Sequence, residues 1–478
     1  MNELIDVLKH FGGQLRDKIS VPGSVRYASA TAIWAKPVGP MPRAIVHCST
    51  PHDVQLAIRA ARNSGLPISV RGGGHDWAGR ALCDGVVIDL QKMNKVVLSS
   101  DQRAAQISGG ARAMDILAVT DPLGVAAVAG SVGSVGMAGL TLGGGYGALI
   151  GRFGLALDNL LAAEIVLADE RIVVADGHNE QELLWALRGG GGNFGVVTAM
   201  KVRLHDLSSV RSGMLTYPFS EAGAVLKGCA DITASAPEEL TAQIGLVTGP
   251  DGSIVVMIVP TWCGARSEGE SRLAAFQKLG TVLTNTVDDM PYGTSLAVFD
   301  PYLAIGQHTL METCWIAAFN NDCVEVFMEV MQNALPGCAI FTHEFRGAAS
   351  RVTPGATAFG LRSDHVLVEL LTTVADQPAF DKRRYQRWLY ASLHAFDPIA
   401  LPGGYPNLLS KGDTERATKS FGANVERLIK AKRTYDPDNM FNSAIPLPVA
   451  KQPHPRDGKM AIPDLARNAF QSQTTIIR

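Results

Sequence analysis

A histidine at the end of a glycine turn is the first residue of this sequence whose setting suggests chemistry. Gly72, Gly73 and Gly74 precede His75, and the apolar run 68–70 before them predicts a buried strand. A neutral imidazole is a competent nucleophile, and a histidine in such a turn lies beside the ligand that the turn binds. The pattern therefore indicates a candidate site for covalent attachment of a cofactor. The alternative is a lone core or surface histidine.

A carboxylate within an apolar strand is the second candidate. Alternation along residues 365–371 places Leu367, Glu369 and Leu371 on one face of the predicted strand. Burial disfavours the charged form of a carboxylate, which suits it to take a proton as a general base. A structural ion pair with Arg346 or Arg362 is the alternative, and the sequence leaves both open.

His343 and Glu344 are a third possible source of a base. They lie in the segment 341–347, where a strand with exposed polar residues is the alternative. The His-Glu pair is not a zinc motif, because no second histidine follows at the required spacing. The seven cysteines form neither a CxxC pair nor a Cys/His group at zinc spacing, so no metal site is predicted.

Glycines concentrate in three segments, 72–74, 130–154 and 189–195. The chain has 49 glycines in 478 residues, above the usual share of roughly 7%. Backbone N–H groups in such loops approach a large anionic or planar ligand closely because no Cβ intervenes. Three clusters favour one extended ligand over separate tight turns.

Two features of these segments match familiar patterns without the context that those patterns require. Gly190, Gly192 and Gly195 match the dinucleotide fingerprint G-x-G-x-x-G, but here a predicted helix precedes the glycines and a strand follows them. That fingerprint needs the opposite order, so a Rossmann nucleotide site is not expected. Residues 122–151 carry no charge, but ten of them are glycine, each costing about 0.8–1.0 kcal/mol in a helix. A buried loop, not a membrane span, is predicted there.

Composition narrows the class of protein. The length of 478 residues predicts two or three domains. Hydrophobic residues make up 46% of the chain and charged residues 18%, so the chain can bury a sizeable core. The 43 basic against 45 acidic residues leave a net charge of −2, so nucleic acid is not an expected partner. The first thirty residues are charged and unlike a signal peptide, and the dispersed cysteines indicate reduced thiols. A cytoplasmic protein without membrane association is predicted, and its oligomeric state is left open.

Three stretches of the chain must position these residues. After an amphipathic N-terminal helix (Leu4 to Leu15), short strands and helices alternate to about residue 204, which predicts an α+β domain with mixed strands. Longer strands and helices in 210–400, with a first strand at 212–217, predict an antiparallel sheet covered by helices on one face. The last stretch predicts one helix, 413–432, and a polar tail.

Several motifs together resemble a known flavoprotein family. They are Arg71–His75, the loop Gly130–Gly147, Gly154–Asn159 and Leu184–Thr198, which are similar to the FAD-binding domain of the vanillyl-alcohol oxidase/p-cresol methylhydroxylase type. The segments Tyr405–Asn407 and Tyr435–Phe441 resemble the berberine bridge enzyme-like branch, near the carbohydrate oxidases and hydroxynicotine oxidase. The resemblance covers essentially the whole chain, sparsely between residue 210 and the C-terminal segment.

The resemblance implies an α+β fold with a two-part FAD-binding domain, residues 1–208 and 409–478, around a substrate domain, 209–408, whose antiparallel sheet covers the flavin ring. It implies FAD attached covalently through His75. Many relatives add a second link from a cysteine at the position of Val132, so a single link is expected here, with a lower flavin reduction potential. The cofactor-binding residues implied are His75, Arg71, Gly72, Gly73, Gly74, Gly130, Ser131, Val132, Gly133, Val135, Gly136, Gly139, Gly143, Tyr146, Gly147, Asp158, Asn159, Gly192, Gly195, Val197 and Asn407.

The same resemblance implies an activity. Val135 stands where valine is similar to the oxidase form and leucine to the dehydrogenase form of the branch. An FAD-dependent oxidase is therefore expected, taking a hydride from a small alcohol or amine and reducing O2 to H2O2. Tyr405 should lie near the flavin, so Tyr405 and Glu369 are the candidate catalytic residues. A dehydrogenase of the same fold, and a catalytically idle flavoprotein, are the alternatives.

Overall fold

The computed structural model describes residues 13–39, 41–376, 380–410 and 412–447, and three sheets organise them. The first sheet has four strands in the order β1-β2-β4-β3. They are β1 (Ile19–Ser20), β2 (Ala44–His47), β3 (Ile68–Arg71) and β4 (Val86–Asp89). β2, β4 and β3 are parallel, and β1 is antiparallel to β2, which gives the mixed strands expected from the sequence.

The second sheet surrounds the long strand β10. Its members are β5 (Val96–Leu98), β6 (Ala104–Ser108), β7 (Val125–Ala127), β8 (Leu160–Val166), β9 (Ile172–Ala175) and β10 (Val196–Asp206). β10 pairs antiparallel with β6, β7 and β8. Burial alternates along most of β10, because one face packs on the apolar core while the other faces solvent.

The third sheet has ten strands, and its strand pairs are antiparallel. They are β11 (Val210–Ser212), β12 (Leu215–Pro218), β13 (Leu240–Thr248), β14 (Ile254–Trp262), β15 (Thr284–Asn285), β16 (Asp288–Met290), β17 (His308–Ile316), β18 (Cys338–Phe345), β19 (His365–Val374) and β20 (Ala400–Leu401). The single strand expected at 212–217 is wrong. The chain leaves the strand conformation at Gly213, where φ is 150°, and this divides the segment into β11 and β12. Only glycine fits there, since a Cβ would meet the backbone of Thr286 at 2.3 Å.

The described helices cover the sheets or join their strands. They are α1 (Val25–Thr31), α2 (Pro51–Ser64), α3 (Ala113–Thr120), α4 (Met137–Gly143), α5 (Ile150–Phe153), α6 (Gln181–Gly190), α7 (Ala222–Ala234), α8 (Arg266–Gln277), α9 (Tyr292–Ser295), α10 (Asn321–Gln332), α11 (Lys382–Ala395), α12 (Thr414–Phe421) and α13 (Val425–Tyr435). Buried side chains of α7, α8, α10 and α11 share one core with the third sheet, so helices cover one face of it, as expected.

Local sequence explains where α2 begins and ends. Thr50 caps the helix in a capping box with Asp53, Pro51 opens the first turn, and Gly65 ends it in the left-handed region at φ 62°. These signals are readable in the sequence, and the helix predicted after β2 is confirmed. The single helix expected at 413–432 is wrong, because the chain turns at Gly422 between α12 and α13.

The uncharged segment 122–151 is largely buried, but it is not only a loop, since it contains α4 and the start of α5. No helix in the described part of the chain is long and apolar enough to cross a membrane. The amphipathic N-terminal helix lies outside the described residues except at its end, where Leu15 is buried in a short 3-10 helix. The α+β fold class is confirmed, and the domain boundaries stay a prediction.

Candidate functional site

A cavity of about 910 Å³ joins the glycine loops to the third sheet. On one side lie residues from the segments 72–80, 130–146 and 191–197, which form the loop side of the cavity. On the other side lie residues of β13, β17, β18 and β19, which form the sheet side. Segments 405–408 and 441–445 from near the C-terminus close the wall. The volume is at the upper end of the range of about 300–1,000 Å³ for ligand and cofactor sites.

The loop side brings together most of the predicted cofactor residues. They are Gly72, Gly73, Gly74, His75, Gly130, Ser131, Val132, Val135, Gly136, Gly139, Tyr146, Gly192, Gly195, Val197 and Asn407. Two of the glycine loops meet at Gly73 and Gly136, where a Cβ on Gly73 would lie 2.5 Å from the backbone nitrogen of Gly136. Neither position therefore tolerates a side chain, and the cavity wall there is backbone.

The structure places two predicted cofactor residues away from the cavity. The Asp158 carboxylate forms a two-point ion pair with Arg362, with N–O distances of 2.8 and 3.0 Å. Asn159 donates from Nδ2 to the carbonyl oxygens of Phe153 and Leu155, both at 2.9 Å. Both side chains organise the turn before β8, so their assignment as cofactor-binding residues is corrected.

Four more predicted residues do not line the cavity. The buried guanidinium of Arg71 donates to the carbonyl oxygens of Ala30 and Ala32, so it fixes the N-terminal segment. The other three are Gly133, Gly143 and Gly147. Gly143 and Gly147 allow close packing instead, since a Cβ would meet the side chain of Asn407 at 2.3 Å or the carbonyl oxygen of Ala129 at 2.1 Å.

His75 lies on the loop side and is held by an aromatic ring. Its imidazole stacks on Trp34 with 4.4 Å between ring centroids and 5° between planes, and Nδ1 lies 3.5 Å from Ser134 Oγ. Burial lowers the pKa of His75 to about 4, with Glu369 opposing that shift. The imidazole is therefore neutral at neutral pH and keeps the lone pair that nucleophilic attack requires.

Polar atoms in the cavity wall show that the site fits a long polar ligand. Five buried atoms that belong to lining residues have no hydrogen-bond partner among the described residues: Trp34 Nε1, Trp77 Nε1, Arg80 Nε, Thr248 Oγ1 and Gln307 Oε1. Buried polar atoms are normally satisfied, so an unsatisfied set around one cavity indicates a ligand with polar groups along its length. FAD has that character.

Arg80 supplies a positive charge at this wall. Its guanidinium donates to the carbonyl oxygens of Pro406, Asn407 and Leu409. Burial lowers its pKa to about 10, with the Asp76 carboxylate opposing the shift. A buried cation that is hydrogen-bonded only to neutral carbonyls suits an anionic group such as a pyrophosphate.

Sequence reasoning missed Arg80, Trp34, Trp77 and Gln307. A cation five residues after His75 was a usable signal for Arg80. Trp34 and Gln307 lie far from the glycine motifs in sequence, and the isolated bridge between Ala35 and Gln307 brings their segments together. Only the fold shows that these two residues belong to the site.

The sheet side carries a carboxylate–histidine pair. Glu369 Oε1 lies 3.2 Å from His343 Nε2, and the amide of Gln243 lies 3.3 Å from the same nitrogen. Leu367, Glu369 and Leu371 line the cavity, whereas the alternate residues of β19 pack under the helices, as the alternation predicts. The wall around this pair is apolar and includes Met257, Phe299, Met311 and Phe341.

Neither arginine that the sequence offered as a structural partner pairs with Glu369. Arg362 is bound to Asp158. Arg346 donates to backbone carbonyls and lies 3.6 Å from Glu344. Glu369 therefore has an imidazole, not a guanidinium, as its ionisable neighbour.

Tyr405 lies beside Glu369 and is held by two donors. Its hydroxyl oxygen accepts from the backbone N–H of Gly145 at 2.8 Å and from Asn407 Nδ2 at 3.2 Å. Burial raises the pKa of Tyr405 to about 12, and the charge of Glu369 adds to the shift. The hydroxyl therefore stays protonated at neutral pH, which makes it a hydrogen-bond donor and a poor base.

A buried aromatic layer supports the Tyr405 ring. Tyr146 packs edge-on against it with 4.9 Å between ring centroids, and its hydroxyl lies 2.6 Å from His365 Nε2. His365 Nδ1 lies 2.8 Å from the carbonyl oxygen of Ser363, and the imidazole stacks on Phe345. Both ring nitrogens of His365 are thus occupied when the imidazole is neutral, and burial lowers its pKa to about 4.

Two segments of the chain match models of known protein families. Residues 42–176 match the model of an FAD-binding domain, and residues 404–448 match the model described as berberine and berberine like. The chain is 28% identical over 412 residues to an uncharacterized FAD-linked oxidoreductase, YgaK, of Bacillus subtilis, covering 84% of this chain and 90% of that protein. It is 30% identical over 295 residues to (R)-6-hydroxynicotine oxidase of Paenarthrobacter nicotinovorans, covering 60% of this chain and 64% of that protein.

Solved structures give the same result. 6-Hydroxy-D-nicotine oxidase of Arthrobacter nicotinovorans superposes with a TM-score of 0.80 at 27% identity, covering 89% of this chain and 96% of that chain. A chitooligosaccharide oxidase superposes with a TM-score of 0.79 at 22% identity, covering 93% and 100%, and shows the shared fold.

The fold, the glycine-lined cavity and the two family matches define an FAD-dependent oxidoreductase. Within that class, the chain is similar to the berberine bridge enzyme-like flavoproteins, through its C-terminal match and its superposition on 6-hydroxy-D-nicotine oxidase.

Proposed function

We propose that this protein is an FAD-linked oxidase that takes a hydride and a proton from a small alcohol or amine and passes the electrons to O2. The observation that carries the proposal is the position of Glu369. This carboxylate, paired with His343, lines the same cavity as His75 and the glycine loops, so a base and the cofactor region share one space.

The side chains divide the work at the substrate. Glu369 takes the proton from the O–H or N–H group, and His343 orients the carboxylate. The Tyr405 hydroxyl, whose lone pairs accept from Gly145 and Asn407, donates its own proton towards the cavity and orients the substrate. Bound FAD supplies the hydride acceptor.

We infer that FAD is attached covalently and only once, through His75. The neutral imidazole supports nucleophilic attachment, Val132 in the cavity wall has no atom that can bond to flavin, and none of the seven cysteines lines the cavity. Acid-precipitated protein should retain yellow colour in the pellet, and His75→Ala should release all of its FAD. A colourless wild-type pellet with free FAD in the supernatant would overturn the linkage.

The cavity lining supports an uncharged or cationic apolar substrate. Among the described residues, Arg80 is the only arginine or lysine of the lining, and it belongs to the loop side. The sheet side offers Glu369 among methionine, leucine and phenylalanine side chains, so an anionic substrate would meet an uncompensated carboxylate. Anaerobic mixing with 6-hydroxynicotine and with a chito-oligosaccharide compares an aromatic amine with a neutral sugar, and the amine should bleach the flavin faster.

The use of O2 is proposed from Val135, which lines the loop side. The valine side chain is small and apolar, so the loop side of the cavity exposes backbone and methyl groups there. This supports access of O2, which is a small apolar molecule. After anaerobic reduction with dithionite, exposure to air should reoxidise the flavin within seconds and form H2O2. Reoxidation over many minutes would assign the protein to the dehydrogenase alternative.

We also propose that residues 1–208 and 409–478 form the FAD-binding domain and that 209–408 form the substrate domain. The second sheet ends at Asp206 and the third begins at Val210, while α13 shares a core with α6. Limited proteolysis within 209–408 should leave the N- and C-terminal fragments together with the flavin. Separation of the C-terminal fragment from the flavin would contradict this division.

A further inference from the structure

β13 and β18 separate from each other beside the candidate active site. Their register runs from Val247 opposite Ala339 to Gly245 opposite Phe341 and then stops. Past this point, backbone N–H groups of β13 donate to side chains of β18 and not to its backbone. The N–H of Ile244 donates to Thr342 Oγ1 at 3.0 Å, and the N–H of Ala242 donates to Glu344 Oε2 at 3.3 Å.

A second, smaller cavity lies at this separation. This side cavity has a volume of about 40 Å³, which is room for about three water molecules at the ~10–15 Å³ that each requires. Its lining is rich in polar groups and includes Ser212, Thr241, Thr261 and Ser295. The hydroxyls of Thr241 and Ser295 donate to backbone carbonyls at 2.9 and 2.7 Å, so their lone pairs remain able to accept from water.

One member of the Glu369–His343 pair lines the side cavity. His343 and Gln243 line both this space and the large cavity, so His343 stands between Glu369 and the polar interior. Glu344, the residue after His343 in β18, lines the side cavity as well. Glu344 therefore lines the side cavity, Glu369 lines the large cavity, and His343 lines both.

Glu344 is suited to hold a proton. One carboxylate oxygen accepts the Ala242 N–H, and burial raises the pKa of Glu344 to about 7, with Arg346 opposing the shift. The charged or titratable groups that face it are Arg346, whose Nε lies 3.6 Å away, and His343, and the other lining residues of the side cavity are uncharged. Near neutral pH this carboxyl group can exist in either protonation state.

We propose that the side cavity is a water-filled proton path that leads from Glu369 through His343 to Glu344. This inference rests on the proposed function, in which Glu369 is the base. The substrate O–H or N–H bond breaks and an O–H bond forms on Glu369. The carboxyl proton passes to Nε2 of His343, 3.2 Å away, and His343 releases a proton to water in the side cavity, which delivers it to Glu344. No electrons move along this path.

Glu344 does not touch the substrate, so its role is that of a relay residue acting through His343. The path draws the proton from Glu369 in the same step in which the substrate O–H or N–H bond breaks, so loss of the path slows flavin reduction itself. A relay of this kind contributes less than the base itself, and we expect about a tenfold loss of turnover without Glu344, compared with about 10²–10⁴ without the base.

The first test needs no substrate. A crystal structure of the FAD-loaded protein at a resolution that orders water should show water molecules linking a ring nitrogen of His343 to the Glu344 carboxylate by hydrogen bonds. A dry side cavity, or water that contacts only one of the two residues, would overturn the path. This result is independent of whether Glu369 is the base.

The second test follows flavin reduction by 6-hydroxynicotine or the chito-oligosaccharide in H2O/D2O mixtures. In wild-type protein, the rate of flavin reduction should depend nonlinearly on the deuterium fraction of the solvent, because several protons move in one step. Glu344→Gln should lower the rate about tenfold at unchanged KM, remove the inflection near pH 7 and make that dependence linear, whereas Glu344→Asp should restore part of the rate. The exposed Glu270→Gln is the matched control and should change none of these.

The outcomes separate the two proposals. A linear deuterium dependence or no solvent isotope effect in the wild-type protein, or a wild-type pH profile in Glu344→Gln, contradicts the relay even if Glu369→Gln abolishes reduction. Full reduction rate in Glu369→Gln instead contradicts the proposed base. If Glu344→Gln does not fold, the wild-type deuterium dependence and the crystallographic water still decide.

Discussion

Two carboxylate–histidine pairs in this protein have the same chemical groups and different surroundings. In the first sheet, His47 Nδ1 lies 3.0 Å from Asp89 Oδ2, and its Nε2 lies 2.7 Å from Ser20 Oγ. In the third sheet, His343 Nε2 lies 3.2 Å from Glu369 Oε1. By residue type and distance, the first set is the better match to a hydrolytic triad.

The His47–Asp89 pair has no contact with either cavity. Ser20, His47 and Asp89 are buried on the neighbouring strands β1, β2 and β4, and none of them lines the large cavity or the side cavity. Asp89 also lies 3.9 Å from the buried guanidinium of Arg71, so it balances a charge in the core. The second pair has the 910 Å³ cavity on one side and the side cavity on the other. Reactive groups therefore become a site only where the packing leaves room for a substrate.

The largest expected effect is on the rate of flavin reduction, which should depend on the Glu369–His343 pair and not on the His47–Asp89 pair. Glu369→Gln removes the proposed base and keeps the shape of the side chain, so flavin reduction should fall about 10²–10⁴-fold. Stopped-flow absorbance under anaerobic conditions measures this, and the urea midpoint of unfolding should stay unchanged. A variant that keeps the wild-type reduction rate would show that the Glu369–His343 pair is as inactive as the His47–Asp89 pair.

The His47–Asp89 pair should respond in the opposite way. Asp89→Asn leaves the buried charge of Arg71 without its partner, so the free energy of unfolding should fall by about 3–5 kcal/mol, measured by urea denaturation. The rate of reduction per bound flavin should stay at the wild-type value. A loss of rate without a loss of stability would contradict the structural role of the His47–Asp89 pair.

Tyr405→Phe tests whether the Tyr405 hydroxyl acts as a hydrogen-bond donor and not as the base. The substitution leaves the buried N–H of Gly145 without an acceptor, so stability should fall by about 1–3 kcal/mol. Because the pKa of Tyr405 is raised to about 12, the hydroxyl is not the base, and flavin reduction should slow less than in Glu369→Gln. A slower reduction in Tyr405→Phe than in Glu369→Gln would exchange their roles.

The smallest effect concerns the buried His365, which lies behind Tyr146 and does not line the cavity. Burial lowers its folded pKa to about 4, below the unfolded value of about 6.5. Between these values the unfolded chain binds the proton and the folded protein does not, so stability falls as pH falls. His365 should contribute a slope of up to about 1.4 kcal/mol per pH unit between pH 6.5 and 4.

Urea unfolding of the FAD-loaded protein at several pH values measures that slope. His365→Phe should make it shallower by up to about 1.4 kcal/mol per pH unit. His205, whose pKa burial also lowers to about 4, keeps its own contribution. The exposed His52→Gln is the matched control and should leave the slope unchanged. An equally steep slope in His365→Phe would assign the pH dependence to other groups.

Much of the secondary structure could be predicted because its signals are local. The boundaries of β6 and the capping of α2 follow from alternation, capping residues and a terminal glycine. The errors arose where one backbone position overrides the pattern. Gly213 divides a predicted strand, and Gly422 divides a predicted helix.

The candidate site was predictable in part for the same reason. Glycine loops form contiguous motifs, so the residues around His75 and Gly136 could be assigned to one ligand. Asp158 and Asn159 belong to such a motif but point into a turn, where Arg362 and backbone carbonyls bind them. A motif gives the position of a residue in the chain and not the direction of its side chain.

The sequence by itself determined that this chain builds glycine loops around an extended ligand and places a carboxylate on the apolar face of a strand. Both features depend on residues that are close together in the chain. Only the tertiary structure decided that Glu369 faces His343 in a cavity while Asp89 faces His47 in a core. That distinction depends on the packing of segments far apart in sequence, and packing determines which polar groups keep access to a ligand.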